Sequence, residues 1–227
     1  TPNDRPASDR PQVDFKALEQ HTIDTVGLSE EPESIVGIIS GLYSLGKQKQ
    51  QNAEEDWTGS AEQLEKLEKF EGAERTQKYG KEILTYPKRD ADQITFAIDF
   101  PDFPVSKAEF FGGEPDPKPL RLVMGGEYMV NDGEKWTKIL GKGWNLSITN
   151  IGTPEAKVWS FSKNSQVYKM AQAAGILRDN GAFLPEDLGN LLGKAVMFEV
   201  RIWNKPSNKD ASKKYYSESI KFVGKVP

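Results

Sequence analysis

Ala195-Val-Met-Phe-Glu-Val-Arg-Ile-Trp203 is a stretch in which apolar and polar residues alternate, and Tyr215-Tyr-Ser-Glu-Ser-Ile-Lys-Phe-Val223 shows the same pattern shortly afterwards. A period of two is typical of β-strands that bury one face. The segment between the two stretches, residues 204–214, is polar, basic and rich in turn-forming residues. The two stretches are therefore predicted to form a β-hairpin, from which the rest of the fold is inferred.

Alternation assigns the side chains of this hairpin to two faces. The face predicted to join the core comprises Val196, Phe198, Val200, Ile202, Tyr216, Ile220 and Phe222. The opposite face, which we call the outward face, comprises Met197, Glu199, Arg201, Trp203, Tyr215, Ser217, Ser219 and Lys221. The connecting loop adds further cations, among them Lys205, Lys213 and Lys214.

The outward face has the side-chain types that bind single-stranded nucleic acid. Aromatic rings stack on bases, which contributes roughly 1–3 kcal/mol per base, and cationic groups contact phosphates. Arg201, Trp203, Tyr215 and Lys221 supply both types on one surface. The alternative is that Trp203 and Tyr215 form a cross-strand aromatic pair that only stabilises the hairpin.

Three upstream segments are predicted to be further strands of a small barrel. Residues 35–46 are rich in β-branched residues and contain glycines, which permit the bends that a closed barrel needs. Residues 94–100 alternate and are predicted to end at Pro101 and Pro104. Residues 120–130 return to extended structure.

One helix is predicted to begin at Ser165. An apolar stripe follows at helical spacing, formed by Val167, Met170, Ala171, Ala174 and Leu177. The order strand, long insertion, strand, strand, helix, strand, loop, strand is that of an OB fold. The predicted fold class is therefore mainly β, an OB-type five-stranded barrel with a helix between strands 3 and 4 and a long insertion after strand 1.

Two regions differ in composition from the predicted barrel. Residues 1–33 carry eight acidic and three basic side chains, with three prolines in the first dozen positions, so an acidic arm that is flexible or loosely docked is predicted. Residues 50–92 have few apolar residues and are predicted to be an insertion. It contains a charged helix over residues 60–71 that begins with a capping box of Ser60 and Gln63. The nucleic-acid-binding domain is predicted to span residues 34–227.

Further aromatic and basic residues are candidates for the same ligand. Tyr43, Lys47 and Lys49 lie together where the first predicted strand ends, and the alternative for this patch is an ordinary strand terminus. Three tryptophans are interleaved with lysines in the second half of the chain, namely Trp136, Trp144 and Trp159. Each of them alone is weaker evidence than the hairpin.

Charge is segregated along the chain. Residues 1–134 hold 15 basic and 27 acidic residues, a net charge of −12, whereas residues 135–227 hold 15 basic and 7 acidic residues, a net charge of +8. Such polarity indicates a surface for polyanions with an acidic region elsewhere. No apolar run approaches the roughly 18 residues that span a membrane. Cysteine is absent, which excludes disulfides and thiolate metal sites and fits a reducing compartment.

Two motifs leave a magnesium-dependent nucleotide hydrolase or nuclease open as an alternative. Residues 41–48 nearly fit the phosphate loop G-x-x-x-x-G-K-[ST], but a glutamine replaces the hydroxyl that would bind magnesium. Asp99, Asp102 and Glu109 are acids of the type that bind a divalent cation. His21 is the only histidine, which excludes a Ser-His-Asp relay and a multi-histidine metal site. We expect no catalytic residues, metal or cofactor.

Three segments resemble a known family. They are residues 36–47, with the core Gly-Leu-Tyr-Ser-Leu-Gly-Lys; the strand 94–100; and residues 165–200, where Val-Tyr-Lys-Met-Ala-Gln-Ala-Ala-Gly-Ile precedes Asn-Gly-Ala-Phe and Leu-Leu-Gly-Lys-Ala-Val. In these segments the chain is similar to the OB-fold single-stranded DNA-binding proteins of tailed bacteriophages. The likeness extends discontinuously over most of residues 34–227.

The resemblance implies a protein that coats single-stranded DNA without sequence preference during phage replication, recombination or repair, in the cytoplasm of an infected bacterial host cell. Its partners would be single-stranded DNA and phage or host replication and recombination proteins. Many such proteins recruit partners through an acidic C-terminal tail, whereas residues 222–227 contain no acid. Either recruitment is absent, or the acidic arm recruits partners and also shields the basic surface when DNA is absent. An OB-like protein-interaction adaptor is the other alternative.

Overall fold

A computed structural model describes residues 13–124, 126–131, 136–207, 210 and 212–227, with the backbone alone over residues 126–131 and 136–142. Its helices are α1 (Phe15–Val26), α2 (Ala61–Lys69), α3 (Ala108–Phe111) and α4 (Gln166–Ala173), and a 3-10 helix spans Pro185–Leu191. Its strands are β1 (Glu33–Gln48), β2 (Ala53–Asp56), β3 (Glu74–Lys78), β4 (Lys81–Tyr86), β5 (Ala91–Val105), β6 (Lys118–Met124), β7 (Gly126–Asn131), β8 (Trp136–Asn145), β9 (Ile148–Asn150), β10 (Trp159–Phe161), β11 (Ala195–Pro206) and β12 (Lys214–Gly224). Antiparallel strands predominate, which confirms the prediction of a mainly β fold. Within the described ranges, none of the helices has the length and apolar character needed to cross a membrane.

The chain divides into two compact units. Within the described residues, unit 1 holds 13–41, 97–123 and 166–227, and unit 2 holds 42–96 and 124–165. The insertion predicted after the first strand belongs to unit 2. The hairpin and the helix predicted from the second half of the sequence belong to unit 1.

The strands of unit 1 are arranged as a Greek key. Their order in the sheet is β12–β11–β1–β5–β6, so that strands numbered along the chain follow the spatial order 5-4-1-2-3. A Greek key has the order 4-1-2-3, because its fourth strand returns to lie beside the first. β11 pairs antiparallel with β1 and with β12, so the C-terminal hairpin extends the sheet from its first strand.

The predicted closed barrel is not formed in the described part of the chain. There β6 pairs only with β5 and β12 only with β11, so the two ends of the sheet stay unpaired. The prediction therefore holds at the level of a mainly β fold. A local pattern predicts strands, whereas closure depends on a pairing between segments far apart in the sequence.

At Gly37, the backbone of β1 lies very close to buried side chains of its neighbouring strands. A Cβ atom at this position would lie 2.5 Å from Ile98 Cγ2, 2.7 Å from Phe198 Cδ2 and 2.9 Å from Phe100 Cε1. These three side chains are fully buried, and the rings of Phe100 and Phe198 meet edge to face with centroids 6.0 Å apart. Close approach of side chains explains a glycine at this point of a strand.

Helix α4 confirms the predicted apolar stripe. Val167, Met170 and Ala171 are all buried on it. The helix ends at Ala173, so the last two predicted members of the stripe, Ala174 and Leu177, follow it. Along the chain it lies between β6 and β11, the third and fourth strands of unit 1.

The second half of the predicted acidic arm is a docked helix. Asp14 caps α1 by accepting a hydrogen bond from the N–H of Lys16 at 3.0 Å, and Gly27 ends the helix with φ +69°. Val26 and Leu28 are buried in unit 1. Residues 1–12 of the predicted arm lie outside the described residues.

His21 connects α1 to the region of α3. Its Nε2 lies 2.9 Å from the carbonyl oxygen of Ser106, and its Nδ1 lies 3.0 Å from Glu109 Oε1. Its ring also packs against Phe110, with ring centroids 5.4 Å apart. Both ring nitrogens of the only histidine therefore contact polar groups next to or within α3.

Unit 2 contains the insertion as a small sheet with the order β2–β4–β3, and α2 contacts β4. Ser60 caps α2 by accepting from the N–H of Gln63 at 3.3 Å, which confirms one half of the predicted capping box. The side-chain oxygen of Gln63 accepts from the N–H groups of Thr58 and Gly59 rather than from that of Ser60. Elsewhere in the unit, β8 pairs with β7 and with the beginning of β5. β9 and β10 form a separate two-stranded sheet.

The predicted end of the second barrel strand is wrong, because β5 continues through Pro101 and Pro104 to Val105. Both prolines are exposed. Proline has no N–H to donate, so a strand tolerates it where no neighbouring strand needs that donor.

We expect Gly37→Ala to lower the free energy of unfolding by about 1–3 kcal/mol, because the added methyl group overpacks a rigid core. The measurement is urea denaturation followed by circular dichroism. Gly224→Ala is the matched control, since this strand glycine has open space at its Cβ position, and its effect should stay within about 0.5 kcal/mol. Equal stability of the two variants would contradict the close approach at Gly37.

Candidate nucleic-acid interface

The structure separates the two faces of the hairpin as alternation predicts. The core side of β11 is fully buried at four successive alternate positions, Val196, Phe198, Val200 and Ile202. On the outward side the paired residues are Arg201 with Ser219, Trp203 with Ser217, and Lys205 with Tyr215. Lys205, which was assigned to the loop, therefore extends the outward face.

Trp203 and Tyr215 are offset along the hairpin. Ser217 faces Trp203 directly, and Tyr215 lies two residues before Ser217 on β12. Diagonal neighbours of this kind are about 7–8 Å apart, compared with about 4.5–5.5 Å for a direct pair. The two rings therefore lie on one face but not directly opposite each other. The alternative, a cross-strand aromatic pair that only stabilises the hairpin, would place them directly opposite.

Tyr215 offers an open ring at the loop end of the hairpin. It is 57% exposed, whereas Trp203 is half-buried. A shallow cavity of about 210 Å³ lies beside the ring, lined by Lys205, Pro206, Ser207, Tyr215 and Ser217. An open ring with a neighbouring ammonium group provides a stacking surface and a phosphate contact. The serines were not among the predicted binding residues, although alternation places Ser217 on the same face.

The lysines of the hairpin are largely free. Lys205, Lys214 and Lys221 are exposed and have no ion pair among the described residues. Alternation places Lys205 and Lys221 on the outward face and Lys214 on the other side of the loop end. Arg201 instead donates from Nη2 to Glu199 Oε1 at 3.0 Å, and its Nε is buried without a partner. The outward face thus presents three cationic side chains, Arg201, Lys205 and Lys221, and one carboxylate, that of Glu199.

The loop itself is partly neutralised. Lys213 Nζ lies 3.4 Å from Asp210 Oδ2. The hydroxyl and the N–H of Ser212 donate to Asp210 at 2.6 and 3.1 Å, and these hydrogen bonds hold the pKa of Asp210 below its ordinary value. Asp210 therefore stays charged beside Lys213. Residues 208, 209 and 211 lie outside the described residues.

Helix α1 leaves the outward face open. Its hydrogen bond with the hairpin is on the core side, where Asn204 Nδ2 donates to Gln20 Oε1 at 2.8 Å. Tyr216 lies on the same side, and burial, followed by the charges of Glu218 and Glu19, raises the pKa of its hydroxyl. The described part of the acidic arm therefore does not shield the outward face.

The other predicted binding residues belong to unit 2. Tyr43 and Lys47 are exposed near the end of β1, and exposed Lys49 follows the strand. Trp159 in β10 is 48% exposed. Trp136 is the first residue of β8, and its side chain lies outside the described residues.

The ring of Trp144 packs against another aromatic ring of unit 2. Its ring lies 5.8 Å from the ring of buried Phe96, with an angle of 54° between the two planes. Its backbone pairs with Ile94 across β8 and β5. The tryptophan is half-buried, and its predicted part in DNA binding stays a prediction.

The motifs considered for catalysis are not assembled into a site. Residues 41–48 lie within the extended strand β1, whereas a phosphate loop connects a strand to a helix. Arg121 binds Asp99 through Nε and Nη2 at 2.6 and 2.8 Å, which holds the pKa of Asp99 below its usual range. Glu109 is paired with His21. Among the residues that the structure describes, no group of three or more His, Asp or Glu side chains is placed to hold a metal ion.

A second cavity in unit 1, of about 790 Å³, lies between β5, α3 and β6. Its charged lining is balanced, with Asp99, Glu114 and Asp116 against Lys107, Lys118 and Arg121. Arg121 pairs with Asp99 and Lys118 pairs with Asp116, each at 2.6 Å. The cavity therefore attracts a polyanion less than the outward face does.

Comparisons with known proteins identify no family for this chain. No protein-family model, no curated protein and no solved structure matches it. The resemblance to phage single-stranded DNA-binding proteins stays a prediction from the sequence, and the functional argument depends on the hairpin.

We expect Tyr215 to be nitrated by tetranitromethane at least about tenfold faster than its neighbour Tyr216 at about pH 8, because each unit of pKa changes the reactive phenolate fraction about tenfold. Tyr215 is exposed, whereas Tyr216 is half-buried, donates to Glu218 at 3.0 Å and has a raised pKa. Peptide mass spectrometry measures both sites, with exposed Tyr79 as the internal positive control. Equal nitration of the two neighbours would contradict the assignment of the two faces.

Proposed function

We propose that this protein binds single-stranded DNA without sequence preference through the outward face of the β11–β12 hairpin. The observation that carries the proposal is the exposed ring of Tyr215 beside half-buried Trp203, on a face where Lys205 and Lys221 have no ion pair among the described residues. Every base offers a flat face for stacking and every nucleotide carries a phosphate, so these contacts do not distinguish sequences.

The topology of unit 1 supports the proposal. An OB fold is a five-stranded, partly open Greek-key barrel in which the loop between strands 4 and 5 is one of the elements that bind oligonucleotides. Unit 1 has five strands in Greek-key order, with α4 between the third and the fourth along the chain. We infer that unit 1 is an open variant of the OB fold, in which the segment between β11 and β12 corresponds to that loop.

The biological context that we propose is the coating of DNA exposed during replication, recombination or repair, as in the phage proteins that the sequence resembles. Stacking and phosphate contacts bind DNA without a cofactor or a catalytic group. Replication and recombination proteins of a phage or its host are the proposed partners.

The lysines of the outward face are tested by the salt dependence of binding. We expect a fluorescently labelled poly-dT to bind the wild type with a log affinity that falls linearly with log salt. Lys205→Gln combined with Lys221→Gln removes two phosphate contacts and should reduce the steepness of that slope by about 1.4, since each contact to a single strand contributes about 0.7. Fluorescence anisotropy measures the affinities.

Lys169→Gln is the matched control for the lysine variant. Lys169 is exposed on α4 and belongs to neither strand of the hairpin, so its loss should leave the slope unchanged. Wild-type protein that binds no poly-dT at low salt would overturn the proposed function.

The aromatic residues are tested separately. Trp203→Ala combined with Tyr215→Ala should weaken binding at least about tenfold, because stacking contributes roughly 1–3 kcal/mol per base. Circular dichroism and thermal unfolding establish that the variant is folded, and anisotropy with labelled poly-dT gives its affinity. A folded variant that keeps the wild-type affinity would show that the two rings only brace the hairpin.

A second candidate function is a protein-interaction adaptor, and the 790 Å³ cavity is the observation that favours it. Buried Val105 and Leu120 and exposed Phe111 give this cavity apolar surface, and its charges are balanced. A polypeptide segment with apolar side chains suits such a lining better than a polyanion does. This candidate predicts no anisotropy change with poly-dT at any salt concentration.

A further inference from the structure

The turn between β3 and β4 combines a strained backbone with an exposed aromatic ring. Tyr79 has φ +53°, and among the described residues it is the only one other than glycine with a positive φ. It is also 94% exposed. Gly80, with φ +76°, is the second turn residue, and Lys78 and Lys81 are the last pair of the two strands.

Hairpin stability does not explain a tyrosine at this position. A two-residue turn with positive φ at both positions favours Asn-Gly, because a larger side chain strains the left-handed backbone. A ring that is almost fully exposed gains little from packing. Its contact in the structure is the ammonium group of Lys78, 5.7 Å from the ring centroid. Strain of this kind, kept at a surface position, points to a use of the side chain in binding.

The turn has side chains of the same types as the loop end of the β11–β12 hairpin. In each hairpin an exposed tyrosine directly follows a lysine, at residues 78–79 here and at residues 214–215 there. In each hairpin the facing strand also supplies a lysine, Lys81 here and Lys205 there. The chemistry assigned to the first hairpin therefore applies to the second.

We propose that the β3–β4 turn, residues 78–81, is a second contact for single-stranded DNA, in which Tyr79 stacks on a base and Lys78 and Lys81 contact the flanking phosphates. The inference rests on the proposed function of the outward face. It adds a stacking position in unit 2 to those in unit 1.

The phosphate contacts replace two ion pairs of the free protein. Lys78 Nζ lies 2.8 Å from Glu54 Oε1, and Lys81 Nζ lies 3.2 Å from Asp56 Oδ2. All four side chains are at least 41% exposed, and exposed pairs contribute little to stability. A phosphate can therefore take the place of each carboxylate, and the two carboxylates act as internal competitors of DNA.

Tyr79→Asn tests the proposal with a variant that should fold better than the wild type, because asparagine tolerates the left-handed backbone. We expect a higher midpoint of thermal unfolding together with an affinity for long poly-dT that is lower by about fivefold or more, as loss of one stacking contact implies. Tyr79→Phe is the matched control, since it keeps the ring and should bind like the wild type. Anisotropy with labelled poly-dT measures the affinities of all three proteins.

Removal of the competing carboxylates should act in the opposite direction. Glu54→Gln combined with Asp56→Asn frees both lysines and should tighten binding about threefold or more at low salt, with the gain disappearing as salt screens the charges. Glu68→Gln combined with Glu71→Gln removes the same charge elsewhere in unit 2 and should change affinity less.

The outcomes separate this inference from the proposed function. If the wild type binds no poly-dT, the proposed function fails, and this inference fails with it. If the wild type binds and Tyr79→Asn binds equally well, only the second contact is overturned. A lower thermal midpoint for Tyr79→Asn would contradict the claim that the tyrosine strains the turn.

Discussion

The packing of three fully buried side chains against the bare backbone of Gly37 is the constraint from which the outward face follows. One of the three is Phe198 of β11, and its burial fixes which side of that strand faces the core. Because side chains alternate along a strand, Arg201 and Trp203 must then face away from the core. A slip of one residue between β11 and β1 would bury both of them and expose the apolar set, so this single glycine contact protects the register on which the proposed binding depends.

The segregation of charge along the sequence has a structural counterpart. In the insertion, Lys66 lies 3.1 Å from both Glu55 and Glu62, and the hydrogen bonds that it donates to these carboxylates raise the pKa of the lysine. Lys205 and Lys221 on the hairpin have no such partner among the described residues. Lys66 is therefore neutralised within the insertion, whereas Lys205 and Lys221 remain available to a polyanion.

Features that depend on neighbours in sequence were predictable, and features that depend on distant contacts were not. Alternation in residues 195–203 identified the buried and outward sides of β11, and the cap at Ser60 marked the start of α2. The ring of Trp144 resembles a binding residue in the sequence, but it packs on Phe96, which precedes it by almost fifty residues. The docking of the acidic arm through His21 likewise depends on α3, and closure of the barrel on a pairing between its first and last edges. No local pattern encodes such contacts.

The diagonal offset of Trp203 and Tyr215 limits the conformation of a strand bound to both rings. Side chains at diagonal positions are about 7–8 Å apart, whereas successive bases in a stacked helix are separated by about 3.4 Å. In the proposed complex, bases that rest on both rings would be too far apart to stack on each other, so the hairpin would exchange contacts between bases for contacts between base and ring. Strands that stack strongly on themselves lose most in this exchange. A surface that makes no hydrogen bonds to base edges would therefore still prefer pyrimidine tracts. The preference would come from the weaker stacking and greater flexibility of such tracts and not from contacts that distinguish one base from another.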